Sequence, residues 1–429
     1  MKYVIKKIGQ RLLGDTYFVL LFWWYLFRRI AAPRDVGKPT ILLIDHMFQQ
    51  DIVALERANS LFSFVTINAN ALRVAADQLF PRSAESYAVF NSPDIQPIRE
   101  RYRLILQHLV ARLIKKYHFV AVVAPSDNFF YVRDLIPVLH EHGLPYYVID
   151  KEGTICPAYF THFAQYIRDE CPLLADHILV WSERQKQFWI KSGVTPERIT
   201  VTGQPRSDFW RQPERWPKKN KLSLPGLRPD APMFLFFTYD PWAYTPDYMI
   251  AKGEMHWNVL RQETHRVLFN FARQHPEIDL VIKAHPQQSD IAAVAQEIAS
   301  ARLSNVFLAT GASLSNDLIV NADCIIGFQT TALIETMVTN KPIIYTFWGE
   351  AKDRWASDLI PFHLSGGVNT VTNPKELLNA LESILTHPTI NHDQRSARDQ
   401  FITEYFTTVD GRSAQRAFET IALLLKITK

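Results

Sequence analysis

For most of its length the chain alternates between short, continuous apolar runs and longer stretches with helical spacing. The runs "TILLID", "FSFVTI", "FVAVVAP", "YYVID", "HILVWS" and "ITVTG" fill the first half, and "MFLFF", "DLVIKA", "NVFLA", "CIIGF" and "PIIYTF" the second. A strand with one wet face alternates apolar and polar residues, whereas one covered on both faces is apolar throughout. Helical patterns at 97–116, 131–142 and 182–192, then at 254–274, 291–302, 315–321 and 331–339, separate the runs. Such repetition builds an α/β fold of parallel sheets with helices on both faces.

The pattern is interrupted once. "RQPERWPKKNKLSLPGLRPDAP", 211–232, is rich in proline and cations, has no sustained period and reads as a linker. Its lysines are either solvated or turned toward phosphate. The expected organisation is therefore two Rossmann-like doubly wound domains, 34–210 and 233–410, facing a central cleft. A final helix within 411–429 carries Ala414, Ala417, Phe418, Ile421, Leu424 and Leu425 on one face, so it packs against something.

With 429 residues, 47% of them hydrophobic, the chain can bury two cores, which excludes a disordered polypeptide. The net charge of +4 suits an anionic small molecule or a membrane surface, and no nucleic-acid-binding signature is present. Cys156, Cys171 and Cys324 lie far apart without a CxxC pair, which argues against a disulfide framework or a thiolate metal site and for a cytoplasmic setting.

Residues 1–33 carry the membrane signal. Lys2, Lys6, Lys7 and Arg11 precede "YFVLLFWWYLF", and Arg28 and Arg29 follow it. The apolar run is about half of the roughly 20 residues a spanning helix needs. Aromatic residues flanked by cations fit a segment lying on the inner face of the cytoplasmic membrane. A signal-peptide core, here without a small-residue cleavage site, and a helix docked on the protein itself are the alternatives.

Ligands of doubly wound folds bind beyond the carboxyl ends of the strands. In the second domain those ends are "FTYDPW", "KAHP", "GFQTT" and "YTFWGE". Thr330 and Thr331 stand where a strand turns into a helix, so hydroxyls and free N–H groups favour an anion there; a plain N-cap is the other reading of Thr330. Lys283 and His285, placed on the neighbouring strand end, offer charge and a hydrogen bond to the same phosphate. Glu335, one turn along the helix, reads either as a ribose ligand or as part of a solvated face. Tyr239, Asp240 and Trp242 either shape a nucleotide pocket or belong to the core.

In the first domain "IDKEG" sets Asp150 and Glu152 beside Gly153, whose missing side chain admits a substrate to the backbone. A carboxylate in a partly dry site has a raised proton affinity and serves as a general base. Glu152 is the first choice and Asp150 the reserve; an ion-paired turn around Lys151 is the alternative. His46 and Asp51, after the first strand, are candidates for acceptor contact or for local hydrogen bonding. Arg206 either reaches donor phosphate or braces the hinge by pairing with Asp208. His140 and His142 lack further ligands at zinc-binding spacing.

"DKEG", "KAHP" and the "TT" of "GFQTT" resemble the acidic-Gly, His-Pro and paired Ser/Thr motifs of bacterial sialyl-, polysialyl- and Kdo transferases that use CMP-sugars. "TGQPRSDFW", "KAHP", "ADCIIGFQTTALIETMVTNKPIIY" and "DGRSAQRAFETI" are also similar to the CDP-glycerol glycerophosphotransferase family and related surface-carbohydrate proteins. The resemblance spans about 150–421 and implies a GT-B fold. It implies an inverting, metal-independent transferase of surface polysaccharide synthesis, with no cofactor beyond a cytidine-activated donor and with a glycan or lipid-linked acceptor. It further implies Glu152 as base, His285, Thr330 and Thr331 on the donor phosphate, and Glu335 near the ribose. Lys151 separates the two acids where sialyltransferases have them adjacent, and Gln329, Thr330 and Thr331 replace the serines and aspartate usual in the glycerophosphotransferases. A UDP-sugar 2-epimerase of the same fold and a non-catalytic sugar-binding subunit are the competing readings.

Overall fold

The structure is a computed structural model, and it describes residues 37–427 apart from 47, 60, 213–215, 223, 244–254, 286–287, 312–314 and 407. The expected membrane segment, 1–33, lies outside the described residues. Among the described residues no helix is long and apolar enough to cross a membrane.

The chain divides into two compact units. The first holds a six-stranded sheet in the order β2-β1-β3-β4-β5-β6: β1 Thr40–Asp45, β2 Ser63–Asn68, β3 Phe119–Ala124, β4 Tyr146–Ile149, β5 His177–Val180 and β6 Ile199–Val201. The second holds β7 Met233–Phe237, β8 Asp279–Lys283, β9 Val306–Ala309, β10 Cys324–Gly327, β11 Ile343–Thr346 and β12 Asn369–Val371, ordered β12-β11-β10-β7-β8-β9. All ten strand pairings are parallel. β3, β4, β5, β7, β8 and β10 are almost wholly buried, which is why each reads as an unbroken apolar run. Strand order reverses beside β1 in the first sheet and beside β7 in the second, and a crevice for ligand opens at such switch points.

The helix expected over 131–142 is divided into Phe130–Arg133 and Leu135–Glu141. The break falls at Asp134, a fully buried carboxylate that accepts from Arg99 at 3.0 Å and Arg103 at 2.8 Å. The basic stretch 211–232 does not hang free as a linker but belongs to the second unit. Lys219 reaches the buried carboxylate of Asp279, the first residue of β8, at 3.1 Å, and Arg228 binds it at 2.8 Å. Those cations hold the start of a core strand, Lys219 from a nearly buried position and Arg228 from the surface.

The last helix, Ser413–Leu424, belongs to the first unit, although the whole second sheet precedes it in the chain. It packs on the helix Gln49–Ala58, with the Phe418 ring edge-on to Phe62 at 5.0 Å. Asp208 caps it by accepting from the N–H groups of Ser413 and Ala414, both at 2.8 Å. Arg416 donates to the Thr202 carbonyl at 2.8 Å. Two segments with longer reach in the sequence, 154–159 and 209–406, make up the second unit.

Candidate active site

In the second unit one row of residues crosses the sheet: Tyr345 on β11, Gly327 on β10, Phe237 on β7, Lys283 on β8 and Ala309 on β9. "KAHP" and "GFQTT" therefore do not leave adjacent strands, because β7 lies between them. Two inter-strand spacings put the Cα atoms of Gly327 and Lys283 about 10 Å apart. Three residues beyond Gly327 comes Thr330, and two beyond Lys283 comes His285, at the same end of the sheet.

Thr330 does cap the helix Thr331–Met337, its hydroxyl accepting from the Ala332 N–H at 3.3 Å. Thr331 opens the helix and is exposed. Gly327 has room for little else: an added Cβ would stand 3.2 Å from Leu333. Gln329, expected near phosphate, is buried and is spent on the protein itself. With a left-handed φ of 48° it donates to the Tyr345 hydroxyl at 2.8 Å and the Ile360 carbonyl at 2.9 Å, and accepts from the Ile360 N–H at 2.9 Å. This clamp sets the turn that presents both threonines. Glu335 is buried, not on a solvated face.

Lys283 is 1% exposed, and its ammonium donates to the Ala284 carbonyl at 2.7 Å. Burial without a carboxylate partner among the described residues pushes its pKa down to about 8. His285 is exposed, and the Gln288 side chain accepts from its N–H at 3.3 Å while the Gln288 N–H returns to its carbonyl at 3.0 Å. Pro286, the last residue of "KAHP", lies outside the described residues. Tyr239 is core, whereas Asp240 accepts from both the Ser289 N–H and hydroxyl, and Trp242 is largely exposed.

In the first unit Asp150 directly follows β4, and its carboxylate turns onto buried donors. One oxygen accepts from Gln185 Nε2 at 2.7 Å and Trp189 Nε1 at 3.0 Å; the other faces the Glu152 N–H at 3.3 Å. Burial pushes its carboxyl up to about 7, against the stabilising bond from Trp189. Gly153 closes over this arrangement, and a Cβ there would stand 2.6 Å from the Gln185 amide. The Glu152 side chain is 81% exposed and lies 3.4 Å from Lys151. The criterion that favoured Glu152, a carboxylate out of water, is thus met by Asp150 instead.

His46 follows β1, at the switch point. Its Nδ1 lies 3.3 Å from the Tyr131 hydroxyl, and its ring 4.3 Å from Phe129. Burial first, then the charges of Lys151 and Arg73, hold its pKa below the ordinary value, which keeps the ring neutral near pH 7. Asp51 is 2% exposed and committed to Arg206, whose N–H donates at 3.0 Å and whose guanidinium donates at 3.2 Å. The expected partner of Arg206, Asp208, caps the last helix instead. Sequence reasoning could not find either pairing, since 155 residues separate Arg206 from Asp51. It also passed over Thr238 and His265, behind the end of β7.

The family model described as CDP-Glycerol:Poly(glycerophosphate) glycerophosphotransferase matches residues 161–423. A comparison with curated proteins finds no match. Among solved structures, the S. aureus MnaA-UDP co-structure aligns with TM-score 0.53 at 12% identity, covering 91% of this chain and 98% of that one. The UDP-GlcNAc 2-epimerase from Methanocaldococcus jannaschii aligns with TM-score 0.52 at 14% identity, covering 90% and 99%. At such identities the likeness concerns the fold, which is of the GT-B type.

Proposed function

The chain belongs to the CDP-glycerol:poly(glycerophosphate) glycerophosphotransferase family, and from that membership we propose that it moves a polyol phosphate or a sugar from a cytidine-activated donor to a glycan or lipid-linked acceptor of a surface polymer. Both chemistries release the same nucleotide. Attack of an acceptor hydroxyl on the β-phosphorus of a CDP-polyol breaks the P–O bond to CMP, and attack on the anomeric carbon of a CMP-sugar breaks the C–O bond to CMP. In each case the acceptor oxygen gives up its proton. The protein must therefore steady a departing phosphate and accept a proton, and in this proposal side chains rather than a metal do both.

The observation that supports this reading is the row Gly327, Phe237, Lys283, from whose two ends the chain runs on to Thr330 and to His285. In the proposal Thr330, Thr331 and His285 hydrogen-bond the phosphate of CMP. Lys283 supplies charge with the ammonium protons it does not use on Ala284, and Glu335 serves the ribose. Asp150 is the base: a carboxylate of pKa near 7 takes a proton at neutral pH far more readily than an ordinary one. His46, neutral, contacts the acceptor. Asp51 and Arg206 brace the first unit and touch neither substrate.

Titration calorimetry with CMP, CDP, UDP and GDP tests the reading. A preference for cytidine nucleotides is expected; a preference for UDP, as an epimerase would show, overturns it. His285→Ala should lower donor turnover on the order of 10²-fold, and excess EDTA should leave it unchanged.

A further inference from the structure

Behind the end of β7 three polar side chains form a chain. The hydroxyl of Thr238, buried directly after β7, lies 3.2 Å from His265 Nε2 on the helix Asn258–Gln274. His265 is 1% exposed, and its Nδ1 lies 2.6 Å from Glu297 Oε2 on the helix Ile291–Ala301. A carboxylate fixes the Nδ1–H tautomer of a neutral ring, which leaves Nε2 as the acceptor for the Thr238 hydroxyl. Phe236 and Phe269 hold the imidazole between them at 5.4 and 5.7 Å.

Each end of this chain grips the stretch that carries His285. Thr238 donates its main-chain N–H to the Lys283 carbonyl at 3.0 Å, which extends the β7–β8 ladder past its last rung. Glu297 belongs to the helix that begins directly after the His285 turn. Arg261, one turn before His265 on the same helical face, repeats the grip: it pairs with Asp290 at 2.7 Å and donates to the Tyr239 carbonyl at 2.9 Å. Asp290 in turn accepts from Gln288 Nε2 at 2.9 Å, and Gln288 is the residue folded back onto His285. A buried hydroxyl and a buried imidazole, closed off by a carboxylate at the surface, admit few arrangements, so the β8 end is held in one place.

We propose that His265 is a positioning residue for the donor phosphate: seated by Glu297 and acting through Thr238, it fixes the end of β8 that presents His285. The inference rests on the role given to His285 above. A histidine that merely fills the core would affect folding and nothing else.

The test is a double-mutant cycle on CDP affinity, measured calorimetrically on the full chain with thermal melting as the check on folding. Thr238→Val keeps the shape and removes the hydroxyl, and Thr238→Ser restores it. We expect His285→Ala to weaken CDP binding about tenfold or more and Thr238→Val about fivefold. The double variant should bind no more weakly than His285→Ala alone, because the two act through one contact, and Thr238→Ser should bind like the native chain. Should Thr238→Val fail to fold, Glu297→Ala, at a side chain 44% exposed, must show the same loss and the same non-additivity. Native affinity in these variants, or losses that add in full, overturns the inference and leaves His285 its role. Native affinity in His285→Ala overturns the donor-phosphate reading, and the inference with it.

Discussion

Replacing Asp150 by Asn separates stability from catalysis at a single carboxyl. In the unfolded chain this group ionises near 3.8, and in the folded chain near 7. Between those values the folded form keeps a proton that the unfolded form has already released, so raising the pH favours unfolding. The group is harmless below about pH 4 and opposes the fold fully only above about pH 7. A gap of about three in pKa, at about 1.4 kcal/mol each, sets a ceiling of about 4 kcal/mol. Partial access to solvent brings the expected value to about 2 kcal/mol. The Asn oxygen can still accept from Gln185 and Trp189, but its amino group then faces the Glu152 N–H, a loss of about 1 kcal/mol at every pH. Urea unfolding followed by tryptophan fluorescence should therefore show D150N slightly less stable than the native protein at pH 4 and more stable at pH 8. Turnover should be lost throughout, whereas Glu152→Gln should keep most of it. A stability difference that does not change with pH would refute the reasoning, as would an active D150N.

Four further outcomes follow, three from the structure and one from the sequence. Gly153→Ala drives a Cβ into the Gln185 amide and loosens the clamp on Asp150, so the acid limb of the turnover profile should move below pH 7. Gln329→Ala removes three hydrogen bonds and strands the Ile360 backbone groups, which should cost about 2–4 kcal/mol by chemical denaturation. Asp208→Ala uncaps the last helix and should cost about 1–2 kcal/mol, with faster proteolysis near residue 413 as the readout. Removal of residues 1–33 should release the protein from the membrane fraction; unchanged fractionation would end the anchor hypothesis.

The parallel sheets are legible in the sequence because strands covered on both faces need apolar residues at every position, and helices cannot share that pattern for long. β12 is not legible: Asn369–Val371 is a three-residue edge strand that begins with an exposed asparagine. Strand order is also hidden, since pairing depends on where each crossover returns the chain. That is how β7 comes to stand between "KAHP" and "GFQTT". The choice between Asp150 and Glu152 turns on Trp181, Gln185 and Trp189, more than 30 residues downstream, whose donors and bulk make one carboxylate dry while its neighbour stays in water. Gln329 shows the same limit in another form, because a glutamine after a strand gives no hint that its φ is positive.

The placement of Ser413–Leu424 on the first unit has a consequence for biosynthesis. On a ribosome the earliest-made sheet must wait, lacking its covering helix, until nearly the whole polypeptide has emerged, whereas the later sheet is assembled almost entirely from one uninterrupted stretch. Maturation therefore runs against the order of translation, and a nascent chain stalled before codon 413 carries an exposed apolar flank that calls for a chaperone.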